Sequence, residues 1–309
     1  MTVPVLIDCD PGHDDAIALL LALASPELDV LGVTTVAGNQ TLAKTTANAL
    51  RVLEFVARTD VPVAAGADRP LVREPFVAAD VHGESGLDGP DLPPPSAEPL
   101  AKHAVDFLAE RLLASRESAT LVATGPLTNV ALLLARHPDA AARARRLVLM
   151  GGSIGEGNVT PAAEFNVWAD PEAAARVFGS RLDVTMIGLD VTHKALMTPD
   201  HANRLRAAGR TGRLVAELFD YFHRFHVATY GFGGSPIHDA AAVAHVARPD
   251  LVETRERNVA IECASELCRG RTVVDLWRRT GKDPNAHVGV GIDAEAFLEL
   301  LVERIATYG

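Results

Sequence analysis

The stretch 5–23, VLIDCDPGHDDAIALLLAL, admits few folds. Val5, Leu6 and Ile7 form a short apolar run, Pro11 and Gly12 supply turn chemistry, and from Ala16 onward nearly every residue is apolar. That order reads as a buried strand, a tight turn and a helix enclosed in an α/β layer. It also crowds Asp8, Asp10, Asp14 and Asp15 at the carboxyl end of the first strand, where open α/β sheets bind their ligands. Acids at this density repel one another, and a hard divalent cation is the simplest compensation. Carboxylate oxygens suit calcium or magnesium, and no Cys/His spacing nearby suggests zinc. Helix capping alone would account for Asp14 and Asp15 but not for Asp8 and Asp10.

The strand, loop and helix unit then recurs. Residues 30–36 form a second apolar strand ending in Ala37, Gly38 and Asn39, before a helix with Leu42, Thr46, Leu50, Leu53 and Val56 at helical spacing. Further strands are expected at 61–65, 120–123, 147–150 and 184–189, and later ones near 259–262, 272–276 and 288–292. Helices are expected over 101–115, after the turn Thr124, Gly125, Pro126, after Asp170 and Pro171, over 199–208 and 212–228, from His238, and over 294–305. Parallel-type strands alternating with helices imply right-handed crossovers. The expected fold class is therefore α/β: a doubly wound, mostly parallel central sheet flanked by helices, with late β additions and one domain spanning residues 1–309.

In such a sheet the strand ends converge on one crevice. They carry Asp10, Asp14 and Asp15, then Asn39, then Thr124, then Asn158, Glu164 and Asn166, while a Gly/Pro loop delivers His238 and Asp239 to the start of an apolar helix. The Gly-rich loop after Met150 lacks the Lys of a P-loop and the spacing of a dinucleotide fingerprint, so its amides and acid suit neutral hydroxyls. Residues 66–99 hold seven prolines and no sustained periodicity. So long an irregular stretch in a compact chain is often functional, such as a lid. It contains His82, though a lone loop histidine is more often simply solvated.

A net charge of -11 argues against phosphate-backbone binding, leaving small molecules as partners rather than nucleic acid. Cys9, Cys263 and Cys268 make no disulfide framework, which fits a reducing cytosol, and the last two read as inert packing residues. The N-terminus enters a strand with no basic leader or membrane-length apolar run, so a cytoplasmic location and no membrane association are expected.

Six motifs, DCDPGHDDA, TTVAGNQT, ATGPLTN, VLMGG, AEFNVWADPEAA and HDAAAVA, in this order and spacing, resemble those of the nucleoside hydrolases of the inosine-uridine preferring type. The similarity covers nearly the whole chain. It implies a calcium-dependent N-ribohydrolase that splits a ribonucleoside into ribose and free base and assembles as a homodimer or homotetramer. On this sequence it implies that Asp10, Asp15, Asp239 and the Thr124 backbone carbonyl hold the calcium. Asp14, Asn39, Asn158, Glu164 and Asn166 would contact the sugar, with Phe165 beside them. The cation would acidify a water whose proton Asp10 accepts, and His238 would protonate the departing base, with His82 assisting or lining the base pocket.

The chain departs from the family in places. Phe222 and His226 stand where some relatives present two tyrosines. The only tryptophans, Trp168 and Trp277, do not replace His82 or His238 in a purine sandwich. His13 stands where the family often has an apolar residue, and reads as a solvated turn residue. Two rival readings are a haloacid-dehalogenase-like phosphatase, with Asp8 as nucleophile and Asp10 as acid, and a non-catalytic ribose-binding protein. The first needs a phosphate-binding Lys, and the chain has only four lysines.

Overall fold

Along the first strand, Val5, Ile7 and Cys9 enter one apolar core while Leu6 enters another, so both faces of the strand are covered. This is why it reads as an unbroken apolar run rather than an alternating one. The structure, a computed structural model, describes residues 2–115 and 117–309. Its strands are β1 (Val3–Cys9), β2 (Leu28–Thr35), β3 (Val63–Ala65), β4 (Thr120–Ala123), β5 (Arg146–Met150), β6 (Val184–Ile187), β7 (Leu196–Met197), β8 (Ser235–Pro236), β9 (Val252–Arg257), β10 (Val259–Ile261), β11 (Thr272–Val274) and β12 (Ala286–Ile292). Eight of them form the central sheet in the order β3-β2-β1-β4-β5-β6-β12-β9. All pair in parallel except β9 against β12. The doubly wound, mostly parallel sheet is thus present.

The helix His13–Ala24 is buried from His13 to Ala22 and packs against the helix His238–Ala247, which is buried along its whole length. Ala16, Ala18, Ala240, Ala241, Ala242 and Ala244 are all at most 2 % exposed. Such small side chains let the two backbones approach closely. Two helix N-termini, carrying Asp14 and Asp15 on one and His238 and Asp239 on the other, thereby open onto the same end of the sheet.

Three expectations need correction. Strands β10 and β11 pair only with each other, apart from the central sheet. The sheet is instead completed by β9, whose sequence VETRER carries charges that suit an exposed antiparallel edge and hide the strand from an apolar pattern search. The helix expected from residue 101 begins at Ala104, where His103 Nδ1 accepts the Val105 N–H at 3.2 Å as its cap. The irregular stretch 66–99 contains one short helix, Ala79–His82. It is tied down by the Leu71 N–H donating to Asp170 Oδ2 at 2.9 Å and by Arg73 pairing with Glu172. No helix among the described residues is long and apolar enough to cross a membrane.

Candidate active site

At the carboxyl ends of β1, β2, β4 and β5 lies a cavity of about 240 Å³. Asp14, Asn39, His82, Thr124, Asn158, Glu164, Phe165, Asn166, Phe222, His226, His238 and Asp239 line it. Asp10 and Asp15 lie just beneath, both fully buried.

The acids form the floor. Asp15 accepts from the Gly12 N–H at 3.1 Å, the Thr124 hydroxyl at 2.7 Å and the Asn39 side-chain amide at 3.1 Å. Asp10 Oδ2 accepts the Asn39 backbone N–H at 2.7 Å, whereas Asp10 Oδ1 is buried without a hydrogen-bond partner. A Cβ on Gly38 would stand 2.1 Å from Asp10 Oδ2 and one on Gly125 2.6 Å from Oδ1, so two side-chain-free loops cradle this carboxylate. Asp14, Asp15 and Asp239 each offer an oxygen within 4.8 Å of the others. Burial, then the neighbouring carboxylates, pushes Asp10 and Asp239 well above the usual range and Asp14 up to about 8. Burial likewise raises Asp15. No Lys or Arg lines the cavity among the described residues, so the floor lacks an internal countercharge. An orphaned carboxylate oxygen beside three converging acids is the donor set a hard divalent cation requires, and the residues fit such an ion.

One side wall is made of amides and hydroxyl-seeking groups. Asn166 donates its amide to the Thr124 carbonyl at 2.8 Å and to the Met150 carbonyl at 3.1 Å. Glu164 caps the helix Phe165–Ala169, accepting the N–H groups of Asn166 at 2.8 Å, Val167 at 3.2 Å and Gly152 at 2.7 Å. Burial still pushes it up to about 7. Asn158 Oδ1 accepts the Phe165 N–H at 2.9 Å.

The roof is aromatic. His238 Nδ1 meets the Thr192 hydroxyl at 2.7 Å, and His226 Nδ1 meets the Phe222 carbonyl at 3.0 Å. Phe222 and His226 pack edge to face at 4.3 Å between centroids, and His82 stacks on Phe222 at 5.5 Å. Burial, reinforced by the neighbouring histidines, holds His82 and His238 well below the usual range, and burial lowers His226 to about 4. His82 is 5 % exposed, so the solvated reading fails for it: the short helix Ala79–His82 folds the ring inward.

His13 needs the same correction. It is wholly buried, with Nδ1 3.1 Å from His82 Nδ1 and Nε2 2.7 Å from the Asp88 carbonyl oxygen. Burial lowers it to about 4. Asp8 is buried with Oδ1 against Thr34 at 2.5 Å and Asn129 at 2.8 Å, and it does not line the cavity.

Sequence reasoning missed Phe76, His193, Phe225 and Tyr230, which also line the cavity. Tyr230 extends the 222, 226 stripe by four residues along the helix Arg210–Tyr230, a spacing that could have found it. Phe76 sits in the aperiodic stretch and His193 in a short loop-like helix end, where no pattern points at them.

Comparison with known proteins agrees with this architecture. Residues 5–299 match the sequence profile of the family described as inosine-uridine preferring nucleoside hydrolase. The chain is 53% identical over 310 residues to the pyrimidine-specific ribonucleoside hydrolase RihA of Citrobacter koseri, covering 100% of this chain and 99% of that one. It is 51% identical over 310 residues to the Escherichia coli protein of the same name, with 100% of both chains covered. Among solved structures, a plant nucleoside hydrolase, PpNRh1, superposes with a TM-score of 0.93 at 32% identity over 99% of both chains. The purine-preferring ribonucleoside hydrolase of Gardnerella vaginalis gives 0.93 at 32%, over 99% of this chain and 98% of that one.

Proposed function

The chain belongs to the inosine-uridine preferring nucleoside hydrolase family and is a hydrolase of N-glycosyl compounds; from that premise we propose that it is a calcium-dependent hydrolase preferring pyrimidine ribonucleosides. One observation carries the reading: a single cavity has buried acids and amides on one side and histidines and aromatic rings on the other. A ribose and a planar base differ in the same way. The pyrimidine preference draws on the names of the two bacterial relatives and on a roof without tryptophan.

Asp10, Asp15, Asp239 and the Thr124 carbonyl would hold the calcium. Bound there, it supplies positive charge that offsets the acids and polarises water and ribose hydroxyls. Asp14, Asn39, Asn158, Glu164 and Asn166 bind and orient the sugar. Asp10, with Oδ1 free of other partners, takes the proton of the attacking water as its oxygen bonds to the anomeric carbon. Buried carboxylates favour the oxocarbenium-like sugar as the C–N bond breaks. The electron pair of that bond leaves with the base, which receives a proton from the imidazolium form of His238; burial makes that form a stronger acid, and the neutral ring is left behind. Thr192 occupies His238 Nδ1, so Nε2 is the atom available to the base. His82, Phe165, Phe222 and His226 line the base side. We place the enzyme in the cytoplasm as a homodimer or homotetramer of one 1–309 catalytic domain, a reading supported by three free cysteines and by the exposed Leu267 and Trp277.

The test is incubation of the protein, with calcium, with uridine, cytidine, inosine and adenosine separately, followed by chromatography for free base and ribose. Uracil and cytosine release should dominate. Equal rates on inosine and uridine would remove the pyrimidine preference, and full activity in protein shown by elemental analysis to be free of calcium would remove the metal.

A further inference from the structure

Of the four histidines that line the cavity, three have a ring nitrogen already engaged: His82 Nδ1 beside His13, His226 Nδ1 on the Phe222 carbonyl and His238 Nδ1 on the Thr192 hydroxyl. His193 differs. Its backbone N–H is spent on the Leu189 carbonyl at 2.9 Å, yet neither of its ring nitrogens has a hydrogen-bond or ion-pair partner among the described residues. Asp190, the nearest acid in sequence, turns to the Ile154 N–H instead. The residue closes the short helix Leu189–Thr192 that follows β6, one position after the threonine that holds His238.

The ring is half-buried and held by other rings. It meets Phe232 edge to face at 5.5 Å and 74°, and lies 6.2 Å from Tyr230, which itself stacks on Phe232 at 5.1 Å. Its centre is 5.6 Å from that of His238. These neighbours put it on the base side of the cavity, and no acid or amide of the floor is bonded to it. An oxygen about 2.9 Å from each of two nitrogens joins groups up to about 5.8 Å apart, so rings at this spacing can reach one base together. Uracil and cytosine share a carbonyl on the carbon beside the nitrogen bonded to ribose. A purine has a ring-fusion carbon and a C–H in those two places. As the C–N bond breaks, its electron pair spreads from that nitrogen onto the carbonyl oxygen. A neutral imidazole carries one N–H in either tautomer and can donate to this oxygen with no change of charge.

We propose that His193 is a specificity-determining residue that touches the base: its ring N–H donates to the carbonyl beside the glycosidic nitrogen and thereby favours pyrimidine over purine ribonucleosides. The bond strengthens as charge gathers on that oxygen, so it acts on the transition state as well as on binding. The proposal rests on the nucleoside hydrolase reading for its substrate, and its first test measures binding apart from turnover.

Pseudouridine is the probe, because its C–C glycosidic bond withstands hydrolysis while a carbonyl still flanks the glycosidic carbon. The phenyl C-riboside has the same sugar and a flat ring without that carbonyl. In calorimetric titrations at saturating calcium, His193→Phe should weaken pseudouridine binding roughly tenfold more than phenyl C-riboside binding, the worth of one hydrogen bond. His193→Gln, which keeps a donor, should recover part of the loss. A kinetic arm follows: His193→Phe should lower kcat/KM roughly tenfold more on uridine than on inosine. Equal weakening of both C-ribosides, or of neither, would make His193 a packing residue and overturn the proposal, as would a parent protein that does not bind pseudouridine. If the parent binds pseudouridine but releases no base from any nucleoside, the hydrolase reading falls while the two C-ribosides still decide what His193 holds.

Discussion

The floor and the roof of the cavity are built by opposite means. The floor rests on the strand ends of the central sheet and on two helix N-termini, and its acids are held by backbone N–H groups and short polar side chains. The roof hangs from the irregular stretch 66–99 and the last turns of the helix Arg210–Tyr230, and its rings are held mainly by one another. A rigid polar floor suits the part of a substrate that never varies. A roof assembled from an irregular stretch, a helix end and stacked rings can be altered without disturbing the chemistry below. This chain is similar over nearly its whole length both to a pyrimidine-specific and to a purine-preferring hydrolase, and on the proposed reading base choice belongs to the roof.

The sharpest test of that division is the sugar. A 2′-deoxyribonucleoside should be a poorer substrate by roughly 10⁴-fold, since floor groups built to pair a hydroxyl are left unmatched without it. Comparable rates on uridine and its 2′-deoxy analogue would break the comparison at its base. Next in size, Asp10→Asn should lower turnover by roughly 10²–10⁴-fold while leaving KM within a few-fold, because the amide still fits its cradle but cannot take a proton. A variant that turned over normally would move the base elsewhere in the floor.

The roof predicts a smaller and different signature. His226→Phe keeps the ring and its packing but removes the polar atoms, and should change the ratio of kcat/KM for uridine over inosine by roughly tenfold. The penalty for removing the 2′-hydroxyl should stay as it was. If both ratios move together, floor and roof are not separable. The smallest effect is read in stability. Asp14 is raised from 3.8 to about 8, so between those values the cation-free folded state binds more protons than the unfolded chain. Its stability therefore falls as pH rises through that window. Cation-stripped protein should melt several degrees lower at pH 8 than at pH 5, and saturating calcium should abolish the difference. A pH-independent Tm in the stripped protein would show that burial and the neighbouring carboxylates do not raise these acids.

The two regions also differ in how far the sequence reveals them. The floor is encoded locally. Asp10, Asp14 and Asp15 lie within one strand, turn and helix unit, and Asn39 and Thr124 each follow an apolar strand that marks its own end. The roof is only partly so. Phe222, Phe225, His226 and Tyr230 lie at helical spacing, but His82 sits where periodicity gives nothing, and Phe76 and His193 carry no local signal at all. Strand β9 was hidden for the same reason as its exposure: an edge strand rich in Arg and Glu has no apolar pattern to read.

What the sequence by itself determined was the α/β class, the order of the units and the gathering of acids at one end of the sheet, because apolar period and turn residues act over a few neighbours. What only the tertiary structure decided was the fate of His13, a buried ring and not a solvated one, together with the displacement of β10 and β11 from the sheet and the shifted protonation of the acids and histidines. The physical reason is common to all three. Burial, hydrogen-bond partners between residues such as His13 and His82, and the field of nearby charges arise when segments distant along the chain meet, and no local pattern records that meeting.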